Sequence, residues 1–393
     1  MAGLCRVDDR GLQARRRGSG FVTRPLRVVH VGKFYHPYRG GMETHLRTLC
    51  EGLAPITELS VVVANLARQS EHDVVNGVRV TRVGTIAVAA SAPITPGMAR
   101  EVRKAGADVV HVHLPHPTAS LSYLTGRIRG SLVVTYHSDI VRQRVLGALY
   151  EPVQQAFLRR ASAIICTSPD YRDSSPSLRP HLDRCVVAPF SLDPTSLLRP
   201  DPAEVEAIRQ KFGDRLVLGV GRLVSYKGFT HLVRAMQGVD AHLLLIGEGP
   251  LRADLEEQAR ADGVARKVTF LGHVPETAPY FHAATVFALS SIERSEAFGL
   301  VQLEAMWCGV PVVNTRLASG VPYVSRHGET GLTVPPRDPE ALGAALRTLL
   351  DDAPLRERLG AAARSRAENT FNVKAMLDAT MEVYRRVTSA ARA

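Results

Sequence analysis

Short apolar runs recur along the chain and alternate with stretches in which apolar residues repeat at helical spacing. In the first half, the predicted strands are residues 26–31, 59–64, 78–83, 108–112, 132–136, 163–167 and 185–188. Helical patterns separate several of them, for example at 43–53 and 141–160. Strands rich in valine and isoleucine that alternate with helices are typical of parallel sheets covered by helices on both faces. The pattern predicts a doubly wound α/β domain.

The alternation stops at residues 191–214 and then starts again. Pro194, Pro200 and Pro202 fall in this interval, which we predict to be an interdomain linker. A second series of predicted strands follows at 216–220, 242–246, 268–271, 286–289 and 310–314, and helices at 340–352 and 373–386 end the chain. Two such domains, facing each other, would bring the carboxyl ends of both sheets to one cleft, where open α/β sheets bind ligands.

The fold prediction is therefore α/β, with two Rossmann-like doubly wound domains facing across a cleft. The first domain is predicted to span 26–190 and the second 215–370. Residues 1–25 form a basic leader that we predict to be disordered, and 371–393 form a C-terminal helix predicted to pack back on the first domain. A length of 393 residues agrees with two domains.

The net charge of +11 lies entirely in the first half of the chain. Such a surface suits an anionic membrane or a phosphate-bearing substrate, whereas no base-reading motif indicates nucleic acid. The five cysteines are scattered, as expected for reduced thiols, and no run of 18 apolar residues or signal-peptide pattern occurs. We expect a cytoplasmic protein, with peripheral contact on the inner face of the membrane.

The most informative motif places Glu296 just before a predicted helix and Glu304 two turns inside it. The helix follows a strand and begins near Phe298, Gly299 and Leu300. Its free N–H groups and partial positive charge would form a phosphate site. The rise per residue separates the two carboxylates by roughly 12 Å along the axis. That is too far for a glycosidase pair, so we expect them to hold opposite ends of a ligand.

Several further motifs accompany this one. Gly40 and Gly41 precede a helix in the first domain, Arg222 and Lys227 follow the first strand of the second, and His137 ends a strand. The other segments are Gly247-Glu248-Gly249-Pro250 and Gly328-Glu329-Thr330-Gly331-Leu332. The combination resembles the E-x7-E signature and accompanying loops of retaining glycosyltransferases of the GT-B type, family 4, over nearly the whole chain after residue 25.

The resemblance implies a role for each matching residue. Glu304 would bind the ribose hydroxyls and Glu296 those of the transferred sugar, while His137 matches the family's active-site histidine. Arg222 and Lys227 would neutralise the leaving diphosphate. The catalytic set is then His137, Glu296, Arg222 and Lys227. The nucleotide-sugar site is Gly40, Gly41, Arg222, Lys227, Glu296, Phe298, Gly299, Leu300 and Glu304.

The resemblance also implies retention of anomeric configuration and assistance by the leaving phosphate, with no cofactor and no metal. A narrower similarity to mannosyl- and rhamnosyltransferases of bacterial surface polysaccharide assembly includes Ser319-Gly320-Val321-Pro322. It favours a GDP-sugar donor, with UDP-sugars second, and a glycan or lipid-linked acceptor. Tyr323 stands where the family often has an acid, and His327 where it has an aspartate. Neither departure touches the phosphate site.

Other classes of function fit less well. A dinucleotide-binding G-x-G-x-x-G fails at Val224, no Asp-x-Asp is present for a metal-dependent transferase, and no Cys/His spacing is typical of zinc. Two alternatives stay open. One is a sugar-nucleotide epimerase of the same fold, which needs no acceptor, and the other is a non-catalytic scaffold that binds nucleotide without turnover.

Overall fold

The computed structural model describes residues 24–38, 40–89, 92–140 and 144–391, without the side chains of 144–148. The predicted leader lies outside these residues except for Arg24 and Pro25, as does the start of the helix predicted at 141–160. Among the described residues, no helix is both long and apolar enough to cross a membrane.

The strands are β1 (Arg27–Val31), β2 (Glu58–Ala64), β3 (Glu71–Val75), β4 (Val78–Val83), β5 (Ala87–Ala89), β6 (Ala92–Ile94), β7 (Val109–Leu114), β8 (Ser131–Tyr136), β9 (Ala163–Cys166), β10 (Cys185–Val187), β11 (Leu216–Val220), β12 (His242–Ile246), β13 (Val268–Gly272), β14 (Val286–Leu289), β15 (Val312–Thr315) and β16 (Gly331–Val334). The helices are α1 (Gly41–Leu53), α2 (Met98–Lys104), α3 (Pro117–Thr125), α4 (Arg144–Leu158), α5 (Pro169–Ser174), α6 (Pro202–Phe212), α7 (Phe229–Ala235), α8 (Arg252–Ala261), α9 (Ala278–Ala283), α10 (Leu300–Trp307), α11 (Val321–Val324), α12 (Pro339–Asp351), α13 (Ala353–Thr370) and α14 (Val373–Ala390).

Each half of the chain contains one large sheet. The first has the order β10-β9-β8-β7-β1-β2-β4-β3 and is parallel except for β3, which pairs antiparallel with β4. The second is parallel throughout, with the order β13-β12-β11-β14-β15-β16. All six residues of β7 are buried, as expected for a strand covered on both faces. The two doubly wound domains predicted from the sequence are confirmed.

The interval predicted to be a linker contains helix α6. Asp201 caps this helix by accepting a hydrogen bond from the Ala203 N–H, and Pro202 occupies its first turn. Val205 and Ile208 are buried, and Arg209 donates to the His282 carbonyl at 2.8 Å. Much of 191–214 therefore packs on the second domain. Asp-Pro is a helix-start signal, which the prediction of a linker from the prolines did not take into account.

Helix α14 returns the chain to the first domain. Met376, Val383 and Tyr384 belong to the apolar core that also contains residues of β1, β2 and α1. Gly52 of α1 lies against Leu377 with no room for a side chain, since a Cβ there would be 2.7 Å from a Leu377 methyl carbon. The last helix is therefore part of the first domain's core, although α13, which precedes it, packs against α10 of the second domain.

One turn of the second domain should tolerate only glycine. Gly228 has φ +66°, and a Cβ there would collide with the Ser290 carbonyl oxygen. Gly263 has a similar φ of +72° but open space around it. We expect Gly263→Ala to lower the free energy of unfolding by about 1–2 kcal/mol through backbone strain, and Gly228→Ala to lower it by more. Urea denaturation of both variants measures the difference, and equal losses would show that the contact with Ser290 is unimportant.

Candidate functional site

The amino ends of α1 and α10 face each other across the cleft between the domains. A Cβ built on Gly41 would lie 3.8 Å from Leu300 Cδ1, so the two helices begin within van der Waals reach of each other. Each begins after a strand of its own sheet. First-turn amides of both helices lack helical carbonyl partners, and both dipoles are positive at this end. The arrangement suits an anion held between the domains.

A network of side-chain and backbone hydrogen bonds fixes the start of α10. Gly299 adopts the left-handed conformation at φ +71°, ψ +58°. The buried amide of Gln302 donates to the carbonyls of Phe298 at 2.8 Å and Val321 at 3.2 Å. The Gly320 N–H donates to Ala297 O at 2.7 Å. The segment around Gly320 therefore positions the predicted phosphate loop.

The Phe298 side chain lies in the apolar packing beneath the start of α10. It is 4% exposed and packs near Phe190 and Phe371, with ring centroids 5.5 and 5.8 Å away. The predicted phosphate site at Phe298, Gly299 and Leu300 therefore concerns their backbone N–H groups.

Lys227 and Glu296 form an ion pair at the edge of the second sheet. Lys227 Nζ lies 2.6 Å from Glu296 Oε2, and the two side chains are only 12% and 10% exposed. Ser291 Oγ donates to the same carboxylate oxygen at 2.9 Å. Burial by itself would lower the pKa of Lys227, but the attraction of Glu296 and, more weakly, of Glu304 outweighs it, so the pKa is raised. Lys227 is therefore charged and held close to both glutamates.

The carboxyl group of Glu304 has a raised pKa. Burial raises its pKa to about 7, although a hydrogen bond with Thr277 and the charge of Lys227 act in the opposite direction. The carboxyl group thus titrates near neutral pH in the ligand-free protein. The two glutamates that the sequence placed on one helix segment are joined electrostatically through Lys227, which the linear spacing did not indicate.

A third cation, Lys33, was missed from the sequence. It follows β1, and burial is the main cause that lowers the pKa of this lysine, with Arg222 of the other domain adding to it and Glu43 opposing. Lys33 and the exposed Arg222 therefore lie within electrostatic range across the cleft. The position of Lys33, directly after a buried strand, could have identified it. The Glu43 side chain occupies the space beside Gly40, where a Cβ would clash with it.

His137 lies at the carboxyl end of β8, on the first-domain wall. It is 5% exposed, its Nε2 is 3.0 Å from His113 Nδ1, and its ring contacts that of Phe190 at a centroid distance of 4.9 Å. Burial lowers the pKa of His137 to about 3, so the ring is neutral. Because Phe190 also packs near Phe298, this aromatic ring connects the walls that carry the histidine and the phosphate loop.

Strands β1 and β7 and helix α1 bring together four more histidines that spacing along the chain did not connect. They are buried and lie near His137: His30, His45, His111 and His113. Within the described chain, two triads have ring nitrogens close enough to hold a metal, His30-His111-His113 and His45-His113-His137. In the structure, several of these nitrogens already pair with one another. The i, i+2 spacing of His111 and His113 on one strand was the available sequence signal.

A surface groove of about 660 Å³ lies elsewhere, along β1, β2, β3, β4 and α2. Its wall includes Arg27 and Glu58 at the amino ends of their strands, opposite to the edge where the charged cluster lies. We place the candidate site at the carboxyl ends of the strands, because Lys227, Glu296 and Glu304 lie there and open α/β sheets bind ligands at this edge.

Comparison with known proteins agrees with this geometry. Residues 39–195 match the family described as "Glycosyltransferase Family 4", and residues 202–366 match "Glycosyl transferases group 1". The crystal structure of Anabaena HepE in complex with UDP has a TM-score of 0.74 at 18% identity, covering 92% of this chain and 100% of that one.

Three curated relatives are similar over most of their length. The D-rhamnosyltransferase WbpZ of Pseudomonas aeruginosa is 36% identical, over 88% of this chain and 92% of that protein. The O-antigen chain mannosyltransferase C of Escherichia coli is 31% identical, over 91% and 98%. A GDP-mannose-dependent phosphatidylinositol monomannoside mannosyltransferase of Mycolicibacterium smegmatis is 30% identical, over 84% and 91%. Since one family match covers each domain and these relatives span both, the chain belongs to family 4 of the glycosyltransferases and has the GT-B fold.

Proposed function

We propose that this enzyme transfers a hexose of the mannose or rhamnose type from a GDP-sugar to a glycan or lipid-linked acceptor in surface polysaccharide synthesis, with retention of configuration. The names of three relatives support the sugar, one of them also names the O-antigen chain, and one names GDP-mannose as donor. The observation that carries the chemistry is the charge of Lys227, which is paired with Glu296 just before α10 and lies within electrostatic range of Glu304.

The ligand-free pairs suggest how the donor binds. The diphosphate replaces Glu296 as the partner of Lys227, and the first-turn amides of α10 bind its oxygens. Glu296, released from the lysine, then accepts hydrogen bonds from hydroxyls of the transferred sugar. Glu304 accepts from the ribose. Lys33 and Arg222 add positive charge, so we propose that the reaction needs no metal or cofactor.

Transfer then requires one exchange of bonds at the anomeric carbon. The bond from this carbon to the phosphate oxygen breaks and its electron pair stays on the diphosphate. The acceptor hydroxyl forms the new bond on the same face and passes its proton to the departing phosphate oxygen. The cations and helix dipole stabilise the charge that develops on the leaving group. In this proposal His137, which is neutral and lies at the first-domain wall, binds a sugar hydroxyl.

Donor binding and turnover test this proposal directly. We expect GDP-mannose or GDP-rhamnose, in excess EDTA, to raise the melting temperature more than UDP-glucose does, because a ligand that binds only the folded state stabilises it. Release of GDP should depend on an acceptor such as octyl α-mannoside. Glu296→Gln and His137→Ala should each lower turnover at least roughly tenfold, and neither should weaken GDP binding.

Three outcomes would contradict this prediction. An isomerised nucleotide sugar made without acceptor would indicate the epimerase, and binding without turnover of any donor would indicate the scaffold. Activity lost in EDTA and restored by magnesium would exclude the metal-free mechanism.

The pKa of Glu304 gives a pH dependence. Its carboxyl group is largely protonated below pH 7, and only the ionised form accepts hydrogen bonds from both ribose hydroxyls. Donor affinity should therefore rise as pH increases from 6 to 8, by up to roughly tenfold. Calorimetry should use the intact nucleotide sugar, because the free nucleoside diphosphate has a terminal phosphate that itself titrates in this pH range. Glu304→Gln should bind more weakly with little pH dependence, so an unchanged pH profile in this variant would contradict the assignment.

We also propose that the first domain contacts an anionic membrane, where a lipid-linked acceptor would lie. Five exposed apolar side chains support this, and we call them the apolar patch: Ile86, Val88, Ile94, Leu121 and Leu149. They lie on or beside β5, β6, α3 and α4, which pack together.

Exposed basic residues lie on neighbouring elements of the same domain, since α2 packs against α3 and α3 against α4. Arg100, Arg103 and Lys104 on α2 are exposed, as are Arg159 and Arg160 after α4. Arg142 and the side chain of Arg144, also predicted to contribute, lie outside the described part of the chain. Each basic residue near an anionic surface contributes about 1 kcal/mol.

Vesicle co-sedimentation tests the membrane proposal. Vesicles containing phosphatidylglycerol should bind the protein better than neutral ones, and high salt should weaken binding because exposed charges are screened. The double variant Val88→Ser and Leu149→Ser should bind anionic vesicles more weakly than the wild type. The matched control Leu198→Ser changes an exposed leucine in the segment that joins the two domains in sequence, and it should bind like the wild type. Equal binding to neutral and anionic vesicles would refute the electrostatic contribution.

A further inference from the structure

A continuous chain of hydrogen bonds leads from His137 into the core of the first domain. His137 Nε2 lies 3.0 Å from His113 Nδ1, and His113 Nε2 lies 3.1 Å from His30 Nδ1. His30 Nε2 is 3.1 Å from the hydroxyl of Tyr384, which is 2.6 Å from His111 Nδ1. His111 Nε2 ends the series at Thr135 Oγ1, 2.7 Å away. We call these six residues the histidine chain.

The sheet register and the last helix assemble the histidine chain. His30 on β1 pairs directly with His111 on β7, and His113 pairs with Thr135 on β8. His111 and His113 lie on the same face of β7 because successive side chains alternate. Tyr384 reaches this face from α14, more than 240 residues beyond β8 in sequence. The phenol is fully buried, so its hydroxyl depends on these imidazoles for partners.

Burial gives every imidazole in the series the same protonation. It lowers the pKa of His30 and His137 to about 3 and that of His111 and His113 well below its usual range, with neighbouring histidines adding to the effect on the latter two. Each ring is therefore neutral, with one N–H and one bare nitrogen. Because each shared contact needs one donor and one acceptor, the tautomer of one ring fixes that of the next.

Two directions satisfy the histidine chain, and the contacts of Tyr384 distinguish them. A contact of 2.6 Å is typical of an O–H donor, whereas 3.1 Å fits an N–H donor to oxygen. Tyr384 then donates to His111 Nδ1 and accepts from His30 Nε2. It follows that His113 donates from Nε2 to His30, and His137 donates from Nε2 to His113.

We propose that Tyr384 is a positioning residue that sets His137 in the Nε2–H tautomer, so that the bare Nδ1 accepts a hydrogen bond from a hydroxyl of the bound sugar. No hydrogen bond within the described residues uses this Nδ1, and the only hydrogen-bond partner of the ring there, His113, lies at Nε2. The role in sugar binding depends on the proposed function, whereas the tautomer does not. Through Tyr384, helix α14 thereby determines which ring nitrogen of His137 carries the proton.

A metal ion is the competing use of the same histidines. In a metal site, each ligand histidine gives one nitrogen to the ion and donates from the other to a separate acceptor. Here His30, His111 and His113 use both nitrogens for partners within the series. Metal analysis of the purified full chain, after dialysis against EDTA, should therefore find no stoichiometric metal. A retained equivalent of zinc would overturn the proposal.

The decisive measurement is the ¹⁵N spectrum of histidine-labelled, substrate-free protein. We expect His137 in the wild type to show the Nε2–H tautomer alone. In Tyr384→Phe, His137 should show a mixture of tautomers, because His30 and His111 both lose the hydroxyl as a hydrogen-bond partner. In the transfer assay, Tyr384→Phe should lower kcat roughly three- to tenfold, the equivalent of one neutral hydrogen bond, at nearly unchanged KM for the donor.

Two matched variants separate this effect from loss of packing. Val383→Ala removes buried volume from the same helix and should reduce stability without altering the tautomer or kcat. Thr135→Val removes the hydroxyl at the other end of the histidine chain while keeping the shape of the side chain, and it should also mix the tautomers. It provides the test if Tyr384→Phe fails to fold. The Nδ1–H form in wild type, or an unchanged His137 spectrum in both Tyr384→Phe and Thr135→Val, would overturn the proposal. If no donor is turned over, the proposed function fails but the spectrum still decides the tautomer.

Discussion

The ammonium group of Lys227 lies in a partly enclosed space, 2.6 Å from the carboxylate of Glu296 and within electrostatic range of Glu304. A buried cation without such partners would lose its proton or destabilise the fold, so the two glutamates keep it charged. The same attraction holds the three side chains at the start of α10 before any donor arrives. Under the proposed function, a diphosphate that binds Lys227 would replace one anionic partner by another, because the lysine is already desolvated in its pair with Glu296.

The surrounding backbone is built to keep these groups in place. Ser290 Oγ donates to the Lys227 carbonyl at 2.9 Å, which ties the lysine loop to the end of β14. Gly228 allows the close approach that this contact requires. Gln302 holds the loop before α10 against the segment at Val321. Such prior organisation reduces the reorganisation needed when charge develops on the leaving group.

The two walls of the cleft use opposite electrostatics. The second domain presents paired charges, whereas the first presents histidines that burial keeps neutral. A neutral imidazole can donate from only one nitrogen, so its function depends on which nitrogen carries the proton. Tyr384 belongs to the helix that follows α13 of the second domain, so the chain crosses between the domains before it completes the histidine chain.

The sequence by itself determined the architecture, because buried parallel strands are nearly continuous apolar runs and their period shows directly in the residues. It also predicted Glu296, Glu304, Arg222 and Lys227 as site residues, since they lie in short motifs that resemble those of the family. The helix within 191–214 was overlooked because its prolines also fit a loop. Only the tertiary structure decided that Lys227 joins the two glutamates and that Tyr384 meets His30, 354 residues away. These contacts depend on strand register and helix docking, which arise from packing between distant segments and leave no periodic signal in the chain.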